Sequence, residues 1–199
     1  SRRVLLVWPD SAEAGGESVP GYFVCAAVAG MIGSLPSHQG ISNMELLGFD
    51  SVTRTSSLLS EGVQEDLAAV GIMVVSQDSR TGRVFVRRAV TTDPSEFSAF
   101  EEMSRRNADA VSFYLRNNWV EYVGVTNNVG IVLSTMSNSF PTLAGYLRSI
   151  NQLARLGPMV TSLTLDSLGR HATLRDQAEA TLTMVGPDAL NGIQLTINY

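Results

Sequence analysis

The sequence contains no lysine; all 14 of its Lys+Arg positions are arginine, set against 19 acidic residues for a formal net charge of −5. That balance points away from a nucleic-acid partner, which needs a basic surface. There is one cysteine, Cys25. It excludes an internal disulfide and gives no sign of an oxidising compartment. There are two histidines, His38 and His171, far apart in the chain and without a second His or Cys at ligand spacing. A zinc-type centre is therefore not indicated. No apolar run reaches the roughly 18 residues of a membrane span. The stretch 18–35 comes nearest, but Pro20, its glycines and Pro36 suit a packed helix. No secretory leader pattern opens the chain. There is no Gly-x-Ser-x-Gly elbow, and Gly15-Gly16 and Gly30-x-x-Gly33 lack the lysine and context of a phosphate loop. With no metal, nucleotide or nucleophile motif, the inventory of chemistry is nearly empty and a non-enzyme is expected, with no cofactor.

What remains is an ordinary folding composition, 44% hydrophobic and 17% charged over 199 residues, enough for a sizeable core. The most patterned stretch is the last one. Ile193, Leu195, Ile197 and Tyr199 alternate with Gln194, Thr196 and Asn198, the period of a strand with one buried face. A terminus normally frays unless it is tied down. Ile193, Leu195, Ile197 and Tyr199 are therefore the candidate subunit-interface residues, pairing with the chain's own sheet or with a neighbour's.

In chain order, Val4–Trp8 reads as a strand, followed by a Gly-, Ser- and Glu-rich loop. Ser18 is placed to cap a helix with Pro20 in its first turn. Val24, Ala27, Val28, Met31, Ile32 and Leu35 line one face of that helix, and the small residues Ala26, Ala29, Gly30 and Gly33 lie opposite. Such a helix is expected to be buried on most sides, with Cys25 an inert buried thiol. Met44–Phe49 suggests a short strand. Ser60 caps a second helix with Val63, Leu67 and Val70 inward, ended by Gly71. Residues 72–88 form a hairpin around the turn 78–82. A long helix runs from Phe97 to Val123, with Ala108, Val111, Leu115, Trp119 and Tyr122 as its core stripe and Glu101, Glu102, Arg105, Arg106 and Arg116 on its polar side. The i,i+4 acid–arginine spacing there suits either a solvated face or a charge contact between subunits. Arg83, Arg87 and Arg88 carry the same two readings. A short helix near 130–137 and another starting at Pro141, with Leu143, Leu147, Ile150 and Leu153 inward, precede a β finish. In that finish Ala178, Ala180, Leu182 and Met184 face one way and Gln177, Glu179, Thr181 and Thr183 the other. The predicted class is α/β (mixed α+β): a mixed sheet flanked by helices, with antiparallel C-terminal strands, in one domain spanning 1–199.

Three ordered blocks resemble contractile phage tail sheath proteins. The first runs from Ala26-Ala27-Val28-Ala29-Gly30 to Leu35-Pro36-Ser37-His38-Gln39-Gly40-Ile41-Ser42-Asn43, similar to the family's helix and "LPxHQxxTN" loop. The second is Gly71–Asp78, Gly82–Arg88 and Thr91-Thr92-Asp93. The third is Gly124–Asn128 with the closing Pro187–Ile193. Arg88-Ala89 stands where the family often has a histidine, and two residues separate Pro187 from Leu190. The resemblance implies the C-terminal core of a longer sheath subunit, polymerising as stacked six-fold rings around a tail tube. The contracting sheath would drive that tube through a target envelope. It implies its own copies, the tail tube protein, and baseplate and tail terminator proteins as partners. It also implies a place in the virion tail, assembly in the host cytoplasm, no direct nucleic-acid contact and no membrane insertion. The alternatives are a binding module presenting the 72–88 hairpin, or a hydrolase using His38.

Overall fold

The computed structural model describes residues 3–52, 55, 58–96, 100–122, 129–150, 157–174 and 177–187. The expected strand over 191–199, Leu153 and the stretch 124–128 lie outside the described residues. The chain divides into two compact units, Ser1–Arg105 and Arg106–Asp188.

In the first unit, β1 (Leu6–Trp8) pairs in parallel with β4 (Ile72–Gln77), and β4 pairs antiparallel with β5 (Val84–Val86). Met73, Val74, Val75 and Ser76 are all buried, so both faces of the central strand are covered and its sequence is an unbroken apolar run. One face joins a core with Val24 and Val28 of α1 (Gly21–Ser34), Ile41, Leu46, Val52 and Phe100. The other meets α2 (Glu61–Ala69), whose Gln64 accepts a hydrogen bond from Ser76. As expected, Ser60 caps α2, accepting from the Val63 backbone N–H. The inward residues of α2 are Gln64 and Ala68, however, while Val63 and Val70 are exposed. The Gln64–Ser76 bond decides that rotation, because a buried serine needs a polar partner more than a valine needs burial. Gly71 then turns the chain with φ +90°. A Cβ there would stand 2.7 Å from the Thr91 carbonyl oxygen, so no other residue fits.

Two local expectations are corrected. Residues 11–20 are not a loop but a hairpin, β2 (Ser11–Ala14) with β3 (Glu17–Pro20). Gly15 and Gly16 turn it with φ +62° and +80°, the left-handed pair of a two-residue turn that matches strand twist. Ser18 therefore sits in β3 and caps nothing. Pro20 is the residue before α1, with no side-chain cap. Met44–Phe49 is no strand but a single bridge, Glu45 to Phe85, flanked by hydrogen bonds from Leu46 N to Val84 O and from Val86 N to Met44 O.

The second unit holds the body of α3 (Glu102–Trp119), a 3₁₀ turn at Val120–Tyr122, α4 (Val129–Ser149) and the hairpin of β6 (Ser162–Arg170) with β7 (Ala178–Val185). Val111, Leu115 and Trp119 are buried as their spacing predicts, with Met136, Phe140, Leu143, Ala144 and Leu147 of α4 and Leu163 of β6. The two helices expected around 130–150 are one, running through Pro141. An interior proline costs about 3 kcal/mol. Five buried apolar side chains straddling it outweigh that cost. On β7, Ala180, Leu182 and Met184 pack inward, while Ala178, expected on the same face, is exposed at the strand's start. The register skips Asp166, a bulge between Leu165 and Ser167. The skip brings Leu168 back to the face of Leu163 and Leu165.

Candidate functional site

Three arginines of the first unit, Arg83, Arg87 and Arg88, find acids within it. Arg87 lies 2.9 Å from Glu65, and Arg83 is 4.0 Å from Glu45 while its guanidinium also donates to the Asn43 carbonyl and lies over the Phe85 ring. Arg88 meets Glu101 at 3.2 Å with its guanidinium 5.0 Å from the centre of the Phe100 ring. Glu101 and Glu102 are buried, not on a solvated helix face. Of the two readings of Arg88, the arrangement matches neither: the pair is internal to one unit. Position alone could not reveal this, because Glu101 precedes α3 and reaches back to the strand exit at Val90, with which it forms a backbone bridge.

His38 is 4% exposed. Its loop is fastened by Gln39 N–H to Pro36 O, by Asn43 N–H to Val86 O and by the Ala89 N–H donating to Ser42 Oγ. Asn43 takes a left-handed φ of +61° there. His171 Nδ1 accepts from the backbone N–H groups of Thr173 and Leu174 at 3.3 and 3.1 Å, closing the β6–β7 turn. Cys25 is exposed, contrary to expectation. Among the described residues no group of three or more His, Cys, Asp or Glu is placed to hold a metal ion.

Sheet edges are what the described residues leave open. β4 is enclosed between β1 and β5, so the body of the 72–88 hairpin is interior and its exposed residues are those of the turn, 79–83. The far edge of β5 is taken by the Glu45 bridge. Among the described residues no strand pairs with the far edge of β1, nor with either outer edge of the β6–β7 hairpin. Each such edge presents backbone N–H and C=O groups in a row, ready to accept an added strand. Nothing in the sequence distinguishes these edges from β5, whose cover comes from a segment forty residues earlier. The candidate interface residues Ile193, Leu195, Ile197 and Tyr199 lie outside the described residues.

No protein-family model matches the chain, and no curated protein matches it by sequence. Solved structures do match in fold. A chain of the anti-feeding prophage baseplate, solved by cryo-electron microscopy with 6-fold symmetrisation, superposes with a TM-score of 0.73 at 16% identity, covering 100% of this chain and 55% of that one. The sheath of the PVC extracellular contractile injection system in its contracted state gives 0.71 at 14% identity, over 100% and 56%. The contracted helical sheath of the anti-feeding prophage gives 0.68 at 17%, over 100% and 56%. The chain thus has the fold found in these particles and spans a little over half the length of the chains it matches.

Proposed function

We propose that this chain is the C-terminal core of a structural subunit of a contractile tail sheath. Copies polymerise as stacked six-fold rings around a tail tube, and the sheath shortens to drive the tube through a target envelope. The subunit is non-enzymatic. Its partners are its own copies, the tail tube protein, and the baseplate and tail terminator proteins. Its place is the tail of a virion or a related injection particle, assembled in the host cytoplasm.

The observation that carries this reading is the fold likeness, over the full chain, to two sheaths in the contracted state. The open strand edges supply a physical means of joining copies. The alternating segment ending at Tyr199 would add to such an edge, with Ile193, Leu195, Ile197 and Tyr199 on its packed face and main-chain hydrogen bonds fixing the register. Contraction then draws on the free-energy difference between two packings of the same subunit surfaces, while strand links persist.

Deleting Ile193–Tyr199 from the full-length protein and imaging particles by electron microscopy tests this. Short, missing or irregular sheaths are expected. Sheaths of normal length and order would contradict it.

A further inference from the structure

Helix α4 carries in its middle a sequence that suits a helix end. Seven of the nine residues 134–142 are Ser, Thr, Asn or Pro, types that favour caps and turns over helix interiors. Pro141 has no N–H to offer the Ser137 carbonyl, and its ring crowds that group. The hydroxyls of Thr135 and Ser139 donate to the carbonyls of Ile131 and Met136, each at 2.9 Å. Side-chain bonds of this kind compete with the helix's own ladder and bend it. Yet the helix runs unbroken from Val129 to Ser149.

The packing that holds it is unevenly placed. Beyond the proline, Leu143, Ala144 and Leu147 are buried in the core of the second unit. Of residues 129–138 only Met136 is buried, and Ile131 is 59% exposed. At the junction the buried Trp119, last residue of α3, donates its indole N–H to Ser139 Oγ at 3.2 Å. A stretch with few buried side chains next to a well-packed one opens locally, well below the cost of global unfolding.

The same residues also fit a broken helix. With Ser139 as the residue before a helix over 140–149, its Oγ is placed to accept from the Thr142 N–H, the usual serine cap. Pro141 then falls in the first turn, where a missing N–H costs no bond. Capping needs an extended backbone at Ser139, so the capped form and the continuous helix exclude each other. The two-helix pattern legible in the sequence is the pattern of that second form.

We propose that α4 is a two-position element that breaks at Ser139–Pro141: residues 129–138 swing out as an arm while 142–149 stay in the core, with the Trp119–Ser139 hydrogen bond as the latch. Releasing the latch frees Ser139 to cap the shorter helix, so the loss of one contact is offset by the gain of another. Two discrete arrangements of one packed element are what a conformational switch requires. The device belongs to the single subunit and holds whether or not copies polymerise.

Hydrogen exchange of single amides in the unpolymerised full-length protein tests this, each rate divided by its intrinsic value. Amides of 134–140 are expected to exchange at one common rate, about ten-fold or more faster than those of 146–149. Pro141→Ala, at an exposed position, restores the missing N–H and is expected to slow 134–140 by about ten-fold or more. Trp119→Phe keeps an aromatic ring without the donor and is expected to speed 134–140 about three-fold relative to 146–149. Circular dichroism checks that each variant is folded. Equal protection along the wild-type helix overturns the proposal. So do rates that climb smoothly towards Val129 and are unchanged in Pro141→Ala, which would be end fraying. Equal acceleration of both halves in Trp119→Phe overturns the latch, showing that the indole serves the whole core.

Discussion

Arg88 and Glu101 form an ion pair at 3.2 Å in which the carboxylate side is 2% exposed. The arginine is anchored a second time by stacking over Phe100. Removing one partner of such a pair strands a charge away from water, which costs more than the pair contributes. Arg88→Ala is expected to lower stability by about 2–4 kcal/mol, read by urea denaturation. Arg88→Lys is expected to recover only part of that, since an ammonium neither stacks flat nor donates as a fork. A loss below about 0.5 kcal/mol for Arg88→Ala, the level of a surface pair, would contradict the buried-pair description.

Asp166 is both the bulged residue of β6 and the acceptor for Thr183 Oγ1 at 2.7 Å and Thr164 Oγ1 at 3.3 Å. These bonds lie on the exposed face, so Asp166→Ala is expected to cost only about 0.5–1.5 kcal/mol. Deleting Asp166 leaves Leu165, Ser167 and Leu168 opposite Leu182, Thr181 and Ala180 in regular alternation, so Leu168 keeps its face. That deletion is expected to cost no more than the point substitution in thermal unfolding. A much larger loss would show that the bulge itself, and not only the pairing on either side of it, is needed to seat the hairpin.

The exposed Asp78 carboxylate accepts from the backbone N–H groups of Arg80 and Thr81, with the Arg80 bond the larger influence, and this holds its pKa below the ordinary Asp value. A lowered folded-state pKa means the turn is favoured at pH above the ordinary Asp value and loses that support as pH falls through the folded-state value. Side-chain NMR titration is expected to place Asp78 below the exposed carboxylates that make no such bonds. Titration at the ordinary value would contradict the capped turn.

Leu195→Asp and Ile197→Asp put a charge on the apolar face of the alternating terminal segment. If that segment joins copies, both variants are expected to yield soluble, folded subunits with impaired polymerisation. Circular dichroism and sedimentation measured together decide it. Loss of folded protein would place the segment in its own subunit's core.

Much of the fold was legible because period and punctuation agreed. Val111, Leu115 and Trp119, and Ala180, Leu182 and Met184, read as core stripes and are core. Ser60 and Gly71 marked the ends of α2 by capping chemistry. The misses arose where long-range partners overrode local pattern. Ser18 has good capping chemistry, but Gly15-Gly16 folds it into a hairpin against Ser11–Ala14. Pro141 has good starting chemistry, but packing on both sides carries the helix through it. Glu101 and Glu102 have the spacing of a solvated face, but Glu101 pairs with Arg88. The composition of α1 predicted burial on most sides, whereas the described residues cover only about half of it and leave Cys25 exposed. The strand edges that the described residues leave unpaired are likewise invisible to a reading of side-chain pattern, because backbone pairing carries no side-chain signature.

Electron microscopy of the purified full-length protein, alone and with its tube protein, bears most directly on the sheath assignment. Hollow tubes or stacked rings with six-fold symmetry in projection are expected. A protein that remains monomeric at every concentration, with and without tube, would contradict it.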